Sequence, residues 1–425
     1  MRIYNTLSGV KEKLIRPRGR PLKLFVCGPT VYDHAHLGHA RTYLVFDILV
    51  RWFRHRGLPV FYLQNITDID DKIIEAGADP RFFEKSYRKD MTALSILTVD
   101  RYARASEYLK EIKKQINLLM DLGFAYETSG GVYFEVRKFP DYGRLSRQNL
   151  EKLRPGYRIE PDPEKKDPLD FALWKKTADS SGNFVFPGPW GRGRPGWHIE
   201  DTAISEKFFG PRYDLHGGGM DLKFPHHEAE IAQEESLSGK KPFVKIWLHT
   251  GFLLINGEKM SKSLGNLVTI GDFLQKHSPN LLRFIVLGHH YRSPINYNEG
   301  LLEQSQNGLN HLSEFLRAIT LKKGGGQLLT RAEKRFRAAM DDDLNTVKAL
   351  AVLFDFLAKT PKTPAAKKWV FDKLTVLGIK LELPQIPAAV KKLVSQREKL
   401  RQRKEFAAAD HLRQQIRRLG FEIED

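Results

Sequence analysis

Residues 22 to 67 run strand, turn-rich loop, helix, strand, and this βαβ order constrains the fold more than any other feature of the chain. LKLFVC (22–27) is a short apolar run. From about Leu37 the residues Ala40, Leu44, Ile48 and Trp52 recur four apart, the stripe of a helix. After Gly57, PVFYLQNIT reads as a second buried strand. Such units build parallel sheets whose ligand sites lie at the carboxyl ends of the strands. The connecting loop, FVCGPTVYDHAHLGHARTY (25–43), therefore falls where an α/β fold places its chemistry. It holds the single cysteine of the chain, Cys27, with His34, His36 and His39 close behind.

Further along, residues 100–122 read as helix and GGVYFEV (130–136) as a strand. Residues 137–195 are richer in Pro, Gly and charge, which suggests an insertion with little helix. The sheet pattern resumes with WHIEDTAI, YDLHGGGMDL and KIWLHTGFLLI, and after Gly271 the chain turns helical. LKKGGGQLLT (321–330) reads as a flexible linker, with Thr330 and Glu333 as a capping box opening the next helix. At 425 residues, two or three domains are expected.

Charge narrows the partners. The 69 Lys plus Arg exceed the 51 Asp plus Glu by 18, which favours a polyanion, nucleic acid first and an anionic membrane surface second. The segment 391–420 carries ten Lys or Arg against three acids. Phe406, Ala409, Leu412, Ile416 and Leu419 fall three or four apart there, so one helix face should be buried and one basic, suited either to solvent or to a phosphate backbone. A single cysteine excludes an internal disulfide framework and suits a reducing cytosol. No apolar leader region and no run of membrane-spanning length is visible, so a cytoplasmic protein is expected.

Three motifs carry chemistry. In HLGH, His36 and His39 flank Gly38 at the mouth of a helix, where backbone N–H groups attract phosphate. Read alone, the pair fits either phosphate donors or a helix cap. In NGEKMSKSLGN (256–266), Lys259 and Lys262 lie three apart in a Gly-, Ser- and Asn-rich loop that can carry point charges to a pyrophosphate leaving group. His226 and Glu230 are spaced i, i+4, on one face of a helix, as a metal pair or an ordinary surface pair would be.

HLGH and KMSKS in this order are the paired signature of class I aminoacyl-tRNA synthetases. Within that class, CGPTVYDHAHLGHARTY, NITDIDDKI (65–73), DFALWK (170–175), RPGWHIE (194–200), HGGGMDLKFPHHEAEIAQ (216–233) and MDDDLNT (340–346) resemble the cysteinyl-tRNA synthetase family, over nearly the whole chain. The resemblance implies an α/β fold: a Rossmann-like parallel-sheet catalytic domain with an insertion, followed by a C-terminal all-helical domain. On that basis 1–136 and 196–250 are the two halves of the catalytic domain, and 137–195 is the insertion. Residues 251–320 form the KMSKS loop and a stem-contact helical region, and 330–425 a tRNA-binding domain on the anticodon side.

The resemblance also implies the ligands. One zinc ion per chain would grip the substrate thiolate through Cys27, Asp201, His226 and Glu230. Asp201 stands where the family has a second cysteine; a carboxylate keeps the charge but is a harder ligand. His36, His39, Lys259 and Lys262 would be catalytic. Gly38, His216, Gly217, Gly218, Asp221 and Lys262 would bind ATP, with magnesium, and Thr67 and Trp197 would wall the cysteine pocket. The expected partners are tRNA(Cys), cysteine and ATP, with no membrane, and the expected state is a monomer. A cysteine ligase acting on a sugar amine and an inactive tRNA-binding protein are the competing readings; the basic segment opposes the first, and intact HLGH and KMSKS the second.

Overall fold

A computed structural model of the chain describes residues 1–148, 163–177, 184–260, 264–319, 326–382 and 386–423. The chain forms two compact units. The first comprises Met1–Leu254, Glu258–Lys276 and Tyr291–Ile295; the second comprises Ile255–Gly257, His277–His290 and Asn296–Asp425.

The first unit opens with a hairpin, β1 (Arg2–Asn5) and β2 (Val10–Lys13). Then come β3 (Leu22–Val26), α1 (Leu37–His55), β4 (Val60–Ile66), α2 (Asp71–Glu75), α3 (Pro80–Ala93) and β5 (Arg101–Arg104). After α4 (Leu109–Asp121) follow β6 (Ala125–Glu127), β7 (Gly131–Phe134), β8 (Phe171–Lys176) and β9 (Gly193–Pro195), an antiparallel sheet built around the insertion. The main sheet is completed by β10 (Tyr213–Gly219) and β11 (Val244–Thr250), with α5 (Trp197–Phe209) before β10 and α6 (His226–Ser238) between the two strands.

The main sheet has five parallel strands in the order β11-β10-β3-β4-β5. β4 and β10 are buried along almost their whole length, as strands covered on both faces must be. The strand order reverses between β3 and β10, and a ligand crevice forms at the carboxyl ends of the strands beside such a reversal. Cys27 follows β3 directly, and its N–H donates to the carbonyl of Gly217 in β10 at 3.0 Å. Gly217 is fixed by packing: a Cβ there would lie 2.0 Å from the ring of Phe46 on α1. This contact seats α1 against the sheet and gives Gly217 a reason independent of any nucleotide.

Short strands β12 (Leu253–Ile255), β13 (Glu258–Lys259) and β14 (Ile295–Tyr297) and helix α7 (Ile270–Lys276) lie along the chain after β11. The second unit is mainly helical: α8 (Pro279–Leu287), α9 (Glu299–Arg317), α10 (Gly326–Asp341), α11 (Thr346–Lys359), α12 (Pro364–Val376), α13 (Ala388–Gln402) and α14 (Phe406–Arg418). Among its described residues β15 (Ala318–Ile319) pairs with β16 (Glu422–Ile423), and Ile319, Val390, Val394, Ile416 and Ile423 share a small core. Among the described residues no helix is long and apolar enough to cross a membrane.

Four sequence expectations are corrected. WHIEDTAI is not a strand but the start of α5, whose residues 198–205 are all buried. A helix covered all round shows no polar stripe, so period alone cannot tell it from a buried strand. Residues 100–122 are not helical throughout, because Arg101–Arg104 forms the edge strand β5, too short and charged to show a strand pattern. Thr330 does not cap α10; it lies inside the helix and donates to the carbonyl of Gly326 at 3.2 Å, while Glu333 accepts from Trp369 Nε1 at 2.7 Å. Residues 391–420 are not one helix but α13 and α14, broken at Arg403–Glu405 with Lys404 in the left-handed region, φ +64°. Of their stripe, Ala409 and Ile416 are buried while Phe406 and Leu419 are 57% and 52% exposed, because the helix pair is covered on one side only. Residues 321–325 of the expected linker lie outside the described residues.

Candidate functional site

The HLGH loop resolves into a cap. His36 is the N-cap of α1: its Nδ1 accepts the N–H of Gly38 at 3.1 Å, and Nδ1 of His39 accepts the N–H of His36 at 3.3 Å. The rings stack with centroids 3.9 Å apart. Because both Nδ1 atoms accept, each neutral ring carries its hydrogen on Nε2, where it is a donor. Burial, with His36 alongside, holds the His39 pKa well below the ordinary imidazole range, so His39 is a neutral donor. A Cβ at Gly38 would lie 2.9 Å from the His36 ring and 3.2 Å from the methyl of Met260, so only glycine fits without displacing one of them.

That contact joins the two motifs. The N–H of Leu37 donates to the carbonyl of Val268 at 3.0 Å, and the N–H of Ile270 to that of Ala35 at 2.8 Å. The segment that follows KMSKS is thus fastened to the HLGH loop on both sides of His36. Lys259 is exposed, its Nζ 6.0 Å from the centre of the Phe252 ring. Lys262, with Ser261 and Ser263, lies outside the described residues.

Behind the loop lies a buried cluster. Cys27, His226, His227 and Glu230 place one ligand atom each within 4.8 Å of one another. The thiol of Cys27 is 3.1 Å from His227 Nε2, 3.2 Å from His216 Nε2 and 3.8 Å from Glu230 Oε1. Nε2 of His226 lies 3.1 Å from both Asp201 Oδ2 and Glu230 Oε1. Asp201 Oδ1 and Glu230 Oε2 have no hydrogen-bond partner among the described residues. The ring nitrogen facing Glu230 Oε2 at 3.4 Å, Nδ1 of His216, lies 2.5 Å from the Tyr213 hydroxyl. Burial, then Asp201, pushes Glu230 well above the carboxylate range. Burial, then Asp201 and Glu230, pushes the Cys27 thiol up. The cluster is short of positive charge.

This donor set fits a zinc ion. Thiolate, imidazole and carboxylate are its usual ligands, and a cation would meet the two orphaned carboxylate oxygens. Cys27, His226 and Glu230 come together, and Asp201 reaches the same His226 nitrogen. His227 enters the group unforeseen. Its Nδ1 lies 2.8 Å from His249 Nε2, and His249 Nδ1 lies 2.9 Å from Thr6 Oγ1. Nδ1 of His198 lies 2.9 Å from Nδ1 of His226. Burial lowers the pKa of His198, His216 and His227 strongly and that of His249 to about 3, so these rings are neutral. In the sequence, only the doublet in PHHE hinted at His227; nothing in the spacing gave His198 or His249.

Of the remaining candidates, Trp197 and Asp221 border an open cavity, whereas Thr67 and Gly218 are buried. The Trp197 ring stacks on His226 with centroids 4.2 Å apart, and buried Thr67 accepts from Asn65 Nδ2 at 3.3 Å. Trp197, His198 and Asp221 line a cavity of about 730 Å³, a size suited to a small ligand. Gly218 lies beside the cluster, where a Cβ would come 3.0 Å from the His227 ring.

Comparison with known proteins completes the site. The model for "tRNA synthetases class I (C) catalytic domain" matches residues 15–307, that for "DALR domain" residues 335–368, and that for "Cysteinyl-tRNA ligase anticodon binding domain" residues 383–425. The chain is 43% identical to a cysteine–tRNA ligase of Thermococcus onnurineus over 100% of its own length and 97% of that protein's. It is 44% identical to that of Thermoplasma volcanium, covering 98% of it, and 41% to that of a Geobacillus species, covering 97%. Among solved structures it is similar in fold to Mycobacterium tuberculosis methionyl-tRNA synthetase in complex with methionyl-adenylate. There the TM-score is 0.60 at 15% identity, over 85% of this chain and 90% of the other. A putative arginyl-tRNA synthetase from Campylobacter jejuni gives 0.56 at 13%, over 86% and 94%.

Proposed function

The chain belongs to the cysteine–tRNA ligase family, and on that premise we propose which of its residues carry the reaction. It is an aminoacyl-tRNA ligase: ATP and cysteine give cysteinyl-adenylate and pyrophosphate, and the cysteinyl group then passes to the terminal ribose of tRNA(Cys). The α-phosphate gains charge in the first transition state. The Nε2–H donors of His36 and His39 and the N-terminus of α1 meet that charge, and Lys259 and Lys262 of the KMSKS loop meet the pyrophosphate. The observation that supports this reading is that residues 268–270, which follow KMSKS in sequence, are hydrogen-bonded to the HLGH loop on both sides of His36.

Cys27, Asp201, His226 and Glu230 hold zinc in this reading, with His227 behind the thiolate. Bound there, zinc supplies a Lewis acid that prefers a substrate thiolate to an alcohol, and so a means of rejecting serine. Trp197 and Thr67 exclude water from the side chain of cysteine, and Asp221 with the backbone of Gly218 faces the adenylate, while the buried ring of His216 supports Cys27 from behind. Magnesium accompanies ATP, and the protein acts as a cytoplasmic monomer. Neither a sugar-amine acceptor nor an inactive tRNA-binding role is favoured, since the chain has both a catalytic and an anticodon-binding part. Radiolabelled cysteine, ATP and bulk tRNA should give acid-precipitable product and cysteine-dependent pyrophosphate exchange. Exchange without charging would point to a different acceptor, and loss of both would sink the assignment.

A further inference from the structure

We propose that His34, Phe82 and Phe83 form a stacking platform for the unpaired 3′-terminal bases of the tRNA, an inference that rests on the ligase reading above. His34 precedes the N-cap His36 by two residues, so its backbone lies within about 7 Å of the cap. Its ring meets Phe83 at 5.3 Å and Phe82 at 6.0 Å, and the two phenylalanines meet at 5.1 Å, all three pairs edge-on. Nδ1 of His34 lies 2.9 Å from Ser86 Oγ, which orients the ring, and the backbone N–H of His34 donates to Asp33 Oδ1 at 2.7 Å. Phe82 is nevertheless 56% exposed, and His34 is exposed too. Phe83 is half-buried, so the platform presents the rings of His34 and Phe82 to solvent beside the HLGH loop.

The charge around the rings completes the case. Arg81 and Lys85, four apart on α3, are exposed, and among the described residues neither has an ion pair. The acids of the helix are committed: Glu84 is buried between Arg88 and Arg104 at 2.6 and 2.5 Å, and Asp90, raised by burial, lies beside His34 and Lys89. Exposed rings flanked by cations are the composition that binds single-stranded nucleic acid, where any base can stack and phosphates find a counter-charge. Because His34 stands two residues before the N-cap of α1, we take the last unpaired bases of a 3′ end that delivers its ribose to the site to cross this rim. The adenine of ATP is the other base that could stack here, and the experiment separates the two.

The experiment compares the full-length protein with its Phe82→Ala, His34→Ala and Phe82→Tyr variants. Dissociation constants are measured for a tRNA(Cys) transcript with its 3′ end intact and for one lacking its last three nucleotides. Removing one stacking partner should weaken binding of the intact transcript roughly tenfold. Binding of the shortened transcript should stay unchanged, Phe82→Tyr should match the parent, and ATP–pyrophosphate exchange should keep its KM for ATP and cysteine. Equal weakening of both transcripts, no change with either, a raised KM for ATP or a general loss of exchange would each overturn the platform. None of these touches the ligase reading, which the unmodified protein tests by charging alone.

Discussion

Nδ1 of His39 accepts the backbone N–H of His36 at 3.3 Å, an imidazole closing the first turn of α1 where a carboxylate or amide is the commoner partner. Each ring is thereby oriented by the helix it caps. In the proposed mechanism the same two side chains also serve as donors to the α-phosphate, and a substitution can part the two roles. Asparagine is a good N-cap, so His36→Asn should leave stability within about 0.5 kcal/mol of the parent. It removes the Nε2–H donor, and pyrophosphate exchange should fall by roughly a hundred- to a thousandfold. A loss of melting temperature with exchange intact would show the cap to be the only role.

Metal content separates Asp201 from His227. If Asp201 is a ligand and His227 stands behind Cys27, Asp201→Ala should lose most of the one zinc expected per chain, while His227→Ala should loosen it by about ten- to a hundredfold. Asp201→Cys should retain zinc more tightly against a chelator, because a softer ligand is added. Elemental analysis of the purified variants decides. Full zinc in Asp201→Ala with none in His227→Ala would exchange the two roles.

Glu234 makes a pH-dependent prediction. Burial, reinforced by Glu206, pushes its pKa up to about 9, and its Oε1 has no hydrogen-bond partner among the described residues. The folded protein keeps a proton that the unfolded chain gives up above a pH of about 4.3. The folded state therefore binds more protons, and stability falls as pH rises from there towards 9. Glu234→Gln removes this loss, so it should raise the melting temperature at pH 8 by several degrees, worth roughly 1–3 kcal/mol, and change little at pH 4. An equal shift at both values would mean that the substitution acts through packing.

The basic residues of α13, α14 and the break between them divide by exposure. Arg397 is buried, whereas Arg403, Lys404 and Arg418 are exposed. Reversing those three to Glu should raise the KM for tRNA, flatten the salt dependence of binding and leave pyrophosphate exchange alone, since each removes a phosphate counter-charge. Equal loss in both assays would mark the helix pair as structural.

The sequence carried the βαβ order, the helix that begins at Leu37 and the pairing of His226 with Glu230, because each rests on a local period or a short motif. It could not carry α5 or the histidines gathered behind Cys27. His198, His216, His227 and His249 come from two helices and two strands, and only the order of the sheet brings them together. Cap and phosphate donor were legible as two competing readings of His36 and His39. The structure makes the cap an observed contact, and the donor role is the proposal made above.

The lone thiol has a practical consequence. Cys27 is buried, at 4% exposure, and its pKa is raised, so alkylating and fluorescent maleimides have no accessible native target. A cysteine introduced at an exposed position, as in Ser395→Cys, would then be the one rapidly labelled site, without removal of Cys27. Dye pairs on protein and tRNA could follow docking in real time. Slow labelling of Cys27 itself would report how often the buried Cys27–His227–Glu230 cluster opens.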